Sequence, residues 1–120
     1  MSHTVFIRNL SLRCIVGVRP PERQKKQPVL INVSLGVDAD ELDALEATVD
    51  YSALHDRIVR LVEGSSFGLI ESLARAIAAC CLEERRVEVA EVTVEKPHAL
   101  AYADSAGVTV RVRRGAEEER

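Results

Sequence analysis

The sequence predicts an α+β fold in which two helices cover one face of an antiparallel sheet. Apolar residues alternate with polar ones in four stretches, which is the pattern of half-buried strands. Between the second and third stretches, the apolar spacing changes to that of amphipathic helices. The order is therefore strand, strand, helix, helix, strand, strand, which favours an antiparallel sheet with both helices on one side.

The first strand pattern changes phase. Alternation over residues 5–7 is out of step with alternation over residues 10–18, so we expect either a bulge near Asn9 or two collinear strands. Residues 19–27 are polar and contain two prolines, which cannot join a central ladder, so they predict a loop. Alternation resumes over residues 29–37.

Two helices are predicted from apolar residues at helical spacing. The first has Asp50 or Ser52 as its cap and Gly64 as its stop, and the second follows a joint at residues 65–68. The apolar positions are Leu54, Ile58, Leu61 and Val62 in the first helix, and Ile70, Leu73, Ala74, Ile77, Ala78 and Cys81 in the second. The last two strands are centred on residues 90–94 and 108–112.

The length of 120 residues predicts one domain, which we place at residues 1–114. The acidic tail, residues 115–120, is expected to be disordered. A net charge of -3 argues against a nucleic-acid or anionic-membrane partner, because both favour a basic surface. Neither a membrane span nor a secretory signal is visible, so we expect a cytoplasmic protein.

The three cysteines are interpreted as reduced thiols in the interior. Their number is odd and no Cys-x-x-Cys is present, so neither a disulfide framework nor a zinc site is indicated. With no Trp, two Phe and two Tyr, the core is aliphatic. Since nothing in the chain is available to cover the second face of the sheet, we expect a partner surface there, such as another copy of the chain.

Lys96 is the residue that departs most clearly from its pattern. Ala90, Val92 and Val94 share the buried face of the third strand, and Lys96 continues that parity. A lysine partly removed from water can transfer protons near neutral pH. The alternative is a lysine at a strand end whose ammonium reaches back to water.

Three further residues are candidates with weaker signals. Glu71, in the first turn of the second helix, is either stabilised there by the helix dipole or is a carboxylate able to accept two parallel N–H bonds. Glu22 lies in the polar loop, where most acids are simply solvated. Tyr51, at the start of the first helix, could be a packing residue. Spacing alone does not define a reaction.

Several short segments, in their joint order and spacing, resemble the dihydroneopterin aldolase family, which includes dihydroneopterin triphosphate epimerase. Glu22 follows Gly17 by five residues, and Gln27 precedes the second strand. The segments are Ile15-Val16-Gly17-Val18, Val49-Asp50-Tyr51, Val62-Glu63-Gly64, Leu69-Ile70-Glu71-Ser72-Leu73-Ala74 and Val94-Glu95-Lys96-Pro97.

The resemblance implies a T-fold, in which four subunits close their sheets into a barrel, and two such rings typically stack into an octamer with active sites between subunits. It implies retro-aldol cleavage of dihydroneopterin to hydroxymethyl-dihydropterin and glycolaldehyde, on the route to folate. The resemblance implies no cofactor, metal or Schiff base, because the pterin ring takes up the electrons of the broken carbon–carbon bond. Small pterins are then the expected substrates.

The resemblance also implies roles. Glu71, with Ile70 beside it, would bind the pterin. Lys96 would take the proton of the side-chain hydroxyl, and Tyr51 would help to protonate the enol intermediate. Glu22 would organise the polar network around the reacting side chain.

The segment that follows Lys96, residues 97–105, resembles the corresponding segment of the epimerase branch more than that of many aldolases. An epimerase would rejoin the cleaved fragments with the opposite stereochemistry. A triphosphate substrate would favour cations, and basic residues lie near Glu22, although a solvated loop would look the same. The basic residues are Arg19, Arg23, Lys25 and Lys26. A non-catalytic module would be expected to lose one of the four site positions, and all four are present.

Overall fold

The computed structural model describes residues 2–115, which contain four strands and two helices in the predicted order. The strands are β1 (Ser2–Cys14), β2 (Gln27–Asp38), β3 (Val87–Pro97) and β4 (Ser105–Arg113), and the helices are α1 (Tyr51–Glu63) and α2 (Ile70–Leu82). Short 3-10 turns lie at Pro20–Arg23 and Leu45–Ala47. Apart from Gly115, the predicted tail lies outside the described residues.

The four strands form one antiparallel sheet in the order β1-β2-β3-β4. Both helices belong to the connection between β2 and β3, so the predicted α+β class is confirmed. Because β1 and β3 run in the same direction, both finish at one end of the sheet. That end also holds the start of β2 and the start of β4.

The phase change near Asn9 is a bulge within one continuous strand. The register between β1 and β2 shifts between Ile7 and Leu10, and Asn9 has φ 58. Its amide donates to the Asn32 Oδ1 at 2.9 Å. Asparagine tolerates this left-handed conformation better than most residues. The bulge lets the apolar residues on both of its sides face the helices.

The core lies between the sheet and the two helices. α1 and α2 bury most of the apolar positions that their periodicity predicts, and β2 and β3 bury alternate residues against them. The helical core residues are Leu54, Ile58 and Val62 from α1, and Leu73, Ala74, Ile77, Ala78 and Cys81 from α2. Leu61 and Ile70 are only partly buried.

The thiols lie in or beside this core, as the sequence predicts. Cys14 and Cys81 are buried and Cys80 is half-buried. Burial raises the pKa of Cys81 to about 12, so its thiol stays protonated and packs as a small apolar group.

The other face of the sheet carries cross-strand polar pairs. Glu91 accepts from Arg111 at 3.1 Å, and the hydroxyls of Thr93 and Thr109 are 2.8 Å apart. The aromatic ring of Phe6, which is 54% exposed, lies on the same face under the Arg8 guanidinium. A polar, partly open face of this kind differs sharply from the aliphatic face under the helices.

Two structural features are absent from residues 2–115. No helix there is long and apolar enough to cross a membrane. No group of three or more His, Cys, Asp or Glu side chains in the same part of the chain could hold a metal ion.

Asp50 begins α1 by accepting hydrogen bonds from the backbone amides of Ser52 and Ala53, both at 3.1 Å. Asp50→Ala is expected to lower the free energy of unfolding by about 0.5–2 kcal/mol, because two helix N–H groups lose their acceptor. Asp50→Asn keeps a side-chain acceptor and should recover most of this loss. Urea unfolding at one protein concentration measures both variants, and an unchanged alanine variant would contradict the capping role.

Candidate active site

A cleft of about 620 Å³ opens at the end of the sheet where β1 and β3 finish and α2 begins. Its walls come from the connection after β1, the start of α2, the end of β3 and the loop between β3 and β4. Charged and apolar side chains share these walls: Arg19, Glu22, Glu71 and Lys96, with Val18, Leu69, Ile70 and Leu100. Four of the five predicted site residues therefore lie in one cleft.

Lys96 enters the cleft from the end of β3, on the side that its parity predicts. Its Nζ lies 2.7 Å from the Oε2 of Glu22. The two side chains are 19% and 25% exposed. An ion pair that is partly removed from water is geometrically better defined than one at the open surface. The cleft thus holds a lysine and a carboxylate in direct contact.

The turn Pro20–Arg23 folds Glu22 back towards β1. The Glu22 amide donates to the Arg19 carbonyl at 2.9 Å, and the Arg19 amide donates to the Glu22 Oε1 at 3.3 Å. Gln27, at the start of β2, donates its side-chain amide to the carbonyl of Val16 and lies 3.5 Å from the Glu22 Oε2. The carboxylate is therefore held from several sides.

Gly17 makes room for this carboxylate. A Cβ at this position would lie 2.3 Å from the Glu22 Cδ, which no real side chain tolerates. The backbone of Gly17 also has φ +132, a conformation that favours glycine. The glycine five residues before Glu22 is thus explained by close approach as well as by backbone conformation.

These contacts lower the pKa of Glu22. The hydrogen bond from Lys96 is the largest cause, followed by the bond from the Arg19 backbone amide, while partial burial opposes both. The Glu22 side chain is consequently a carboxylate throughout the neutral range.

Ile70 and Glu71 occupy the first two positions of α2 and line the same cleft. The residue before them, Leu69, has no side chain that can accept from the first N–H groups of the helix. The Glu71 carboxylate therefore lies at the positive end of the helix dipole, where a negative charge is stabilised by about 0.3–1 kcal/mol. It is half-buried and able to accept two parallel N–H bonds.

Tyr51 is not brought to this cleft by its own chain. It is the first residue of α1, is 64% exposed and is not among the residues that line the cleft. Within one chain, the structure therefore separates Tyr51 from Glu22, Glu71 and Lys96.

The basic residues near Glu22 do not form one cation site. Arg19 lines the cleft, whereas the Arg23 guanidinium donates to the backbone carbonyls of Gly17, Ser66 and Phe67.

Sequence reasoning did not single out Val18 or Leu100, which are exposed and line the cleft. Both have apolar neighbours in the sequence, so no local pattern marked them as part of a site.

Residues 5–111 match the sequence model of the FolB family, described as dihydroneopterin aldolase. The chain belongs to the dihydroneopterin aldolase family. A dihydroneopterin aldolase of Streptomyces coelicolor is 39% identical to it over 111 residues, which are 90% of this chain and 93% of that protein. A dihydroneopterin triphosphate 2'-epimerase of Pseudomonas aeruginosa is 35% identical over 109 residues, 88% of this chain and 89% of its own length.

The fold comparison agrees with the family assignment. The crystal structure of the Escherichia coli dihydroneopterin aldolase in complex with neopterin superposes with a TM-score of 0.85 at 26% identity, covering 92% of this chain and 98% of that one. The resemblance seen in the sequence and the subunit fold of the T-fold that it implies are both confirmed. The family is one of aldolases, which are carbon–carbon lyases.

Glu22→Gln is expected to reduce the acid sensitivity of the fold. Because the folded-state pKa of Glu22 is lowered, the folded protein binds fewer protons than the unfolded chain as the solution becomes acidic. The stabilising contribution of Glu22 is complete above its ordinary pKa of 4.5 and is lost as the pH falls through the lower folded-state value.

Urea midpoints of parent and Glu22→Gln, measured from about pH 7 to about pH 3, should therefore converge towards acid pH. Glu63→Gln is the matched control, since it removes an exposed carboxylate at the end of α1, away from the cleft. A difference between parent and Glu22→Gln that stays constant over this range would contradict the assigned ion pair.

Proposed function

We propose that this protein cleaves the side chain of 7,8-dihydroneopterin to give 6-hydroxymethyl-7,8-dihydropterin and glycolaldehyde, a step of folate biosynthesis. The observation that carries the proposal is the 2.7 Å contact of Lys96 with Glu22 in a cleft that also holds Glu71. Membership of an aldolase family supports the reaction class. The neopterin complex of the Escherichia coli relative supports a pterin as the ligand of such a site.

Glu71 is assigned to substrate binding. Its carboxylate accepts hydrogen bonds from the exocyclic amino group and from the neighbouring ring N–H of the pterin. The parallel geometry of these two donors matches a carboxylate. Ile70, next to it on the same wall, supplies an apolar surface for the ring. This arrangement would orient the trihydroxypropyl side chain towards Lys96 and Glu22, which line the same cleft.

Lys96 is assigned to proton transfer. Acting as the general base, it accepts the proton of the 2'-hydroxyl, and the resulting alkoxide becomes the aldehyde as the bond between C1' and C2' breaks. Glycolaldehyde leaves, and the two electrons of the broken bond enter the C6=N5 unit of the ring. Protonation at C1' then gives the hydroxymethyl product. Glu22, in contact with the Nζ, orients the lysine and the polar groups around the reacting side chain.

The ring serves as the electron acceptor in this scheme, so we propose a reaction that uses neither a metal nor a Schiff base. The role of Lys96 is that of an acid and base rather than of a nucleophile. The half-buried position of its side chain suits this role, because proton transfer is favoured where water does not compete for the hydrogen bonds.

Tyr51 is assigned to the site of a neighbouring subunit, where it helps to protonate the intermediate. Its exposure at the start of α1 supports this assignment, because its hydroxyl is available to another chain. The open sheet face, together with the outer strands β1 and β4, supports a homo-oligomeric barrel. We propose a tetramer or octamer with its active sites at the subunit interfaces.

A second candidate function is epimerisation of dihydroneopterin triphosphate at C2'. It is favoured by the 35% identity to the Pseudomonas aeruginosa epimerase. The cleavage step is the same, but the aldehyde turns over and rejoins the ring fragment before leaving. Arg19, which lines the cleft, supplies a cation for a substrate phosphate.

A product assay with dihydroneopterin, dihydromonapterin and dihydroneopterin triphosphate tests the proposal. Release of hydroxymethyl-dihydropterin from the parent protein is the expected result, and inversion at C2' without release would favour the epimerase. The absence of turnover with all three compounds would refute both.

Lys96→Ala is expected to lower kcat by at least about 100-fold while pterin affinity changes little, since its proton transfer is needed only in the transition state. Glu71→Ala is the contrasting variant and should mainly weaken binding, because it leaves the amino edge of the pterin unpaired. Steady-state kinetics and neopterin titration separate the two effects. Full activity of Lys96→Ala would contradict its role.

Mixing inactive subunits tests the shared site. If Lys96 and Tyr51 act together from neighbouring chains, a random equal mixture of Lys96→Ala and Tyr51→Phe subunits regains about a quarter of the parent activity. The matched control mixes Lys96→Ala with Glu22→Gln. Those two residues meet within one chain, so that mixture should show no more than the residual activity of the two variants measured alone. Failure of the first mixture to regain activity, or an active monomer, would contradict the shared site.

A further inference from the structure

The Arg23 guanidinium joins three backbone segments around the cleft. Its Nη1 donates to the carbonyl of Gly17 and to that of Phe67, each at 3.1 Å. Its Nη2 donates to the Ser66 carbonyl at 2.7 Å. The two partners in the α1–α2 joint are 43 and 44 residues away in the chain. All three acceptors are backbone carbonyls, so Arg23 anchors the backbone of these segments.

The segments that Arg23 joins carry the two carboxylates of the site. Arg23 directly follows Glu22 in the turn Pro20–Arg23. The joint at residues 65–68 leads through Leu69 into α2, which begins with Ile70 and Glu71. The Gly17 amide also donates to the Phe67 carbonyl at 3.1 Å, so the segment after β1 and the joint are tied directly to each other where Arg23 holds both.

We propose that Arg23 is a positioning residue that sets the separation between Glu22 and the Glu71 end of the cleft. Where it concerns catalysis, this inference rests on the proposed function. Arg23 is not among the residues that line the cleft, so it acts through Glu22 and α2 rather than on the substrate. Without it, Glu22 would remain tied to Lys96, but the turn would be free to shift relative to α2.

Arginine suits this role because its rigid fork can bond several carbonyls at once, whereas lysine is a point charge on a flexible stem. A bound pterin would be held at its ring by Glu71 while its side chain must meet Lys96 and Glu22. A displacement of Glu71 by about 1 Å relative to Lys96 and Glu22 can lower the rate about 100-fold without weakening ring binding.

The test compares Arg23→Met with the parent and with Arg13→Met. Arg13 is the matched control because its guanidinium also bonds a backbone carbonyl of this connection, that of Lys26 at 3.0 Å, but does not reach the α1–α2 joint. We expect Arg23→Met to lower kcat by about 10- to 100-fold with the neopterin Kd nearly unchanged. Arg13→Met should keep the kcat of the parent, and Arg23→Lys should recover part of the loss.

A double-mutant cycle with Glu22→Gln separates positioning from a general effect on structure. If Arg23 acts through Glu22, Arg23→Met should cost much less in the Glu22→Gln background. An equal cost in both backgrounds, or a parental kcat for Arg23→Met, would overturn the inference while leaving the proposed function intact.

Hydrogen exchange of the Gly17 amide tests, independently of turnover, whether Arg23 links the turn to the joint. Loss of Arg23 should accelerate this exchange, because the shared Phe67 carbonyl loses one of its two partners and the turn loosens. If the parent turns over no pterin, the proposed function fails, and faster Gly17 exchange still supports Arg23 as the link between the turn and the joint. Unchanged exchange in Arg23→Met would overturn that link.

Discussion

The contact between Lys96 and Glu22 depends on the topology of the whole sheet. The two residues are 74 positions apart in the chain. They meet because two antiparallel pairings, β1 with β2 and β2 with β3, bring the C-terminal ends of β1 and β3 to the same end of the sheet. The two helices, inserted between β2 and β3, then bring Glu71 to that end as well. The contact of Lys96 with Glu22 and the position of Glu71 beside it in the cleft are thus consequences of one sheet order.

The local backbone around Glu22 is shaped to keep this contact. Gly17 leaves space for the carboxylate, Arg19 supplies a backbone amide to it, and Arg23 bonds the joint between α1 and α2. A charged side chain that is held by several bonds loses little further entropy when a substrate arrives. The segment after β1, polar and rich in proline, is therefore a structured wall of the cleft rather than a solvated loop.

Several features of the fold could be predicted because they depend on neighbours in the chain. The phase change at Asn9 predicts the bulge, Asp50 and Gly64 mark the limits of α1, and strand parity places Lys96 on the core side. The contacts of Arg23 could not be predicted, since two of its three partner carbonyls lie more than forty residues away and any basic residue in a loop looks solvated. The position of Tyr51 outside the cleft could not be predicted from the sequence either.

The sequence by itself determined the α+β class, the order of the elements and the aliphatic core, because periodicity and capping act over a few residues. Its motifs also indicated the aldolase family. Only the tertiary structure decided which charged groups meet. It joined Lys96 to Glu22, assigned Arg23 to backbone carbonyls and kept Tyr51 apart, because such distances follow from strand register and from the packing of distant segments.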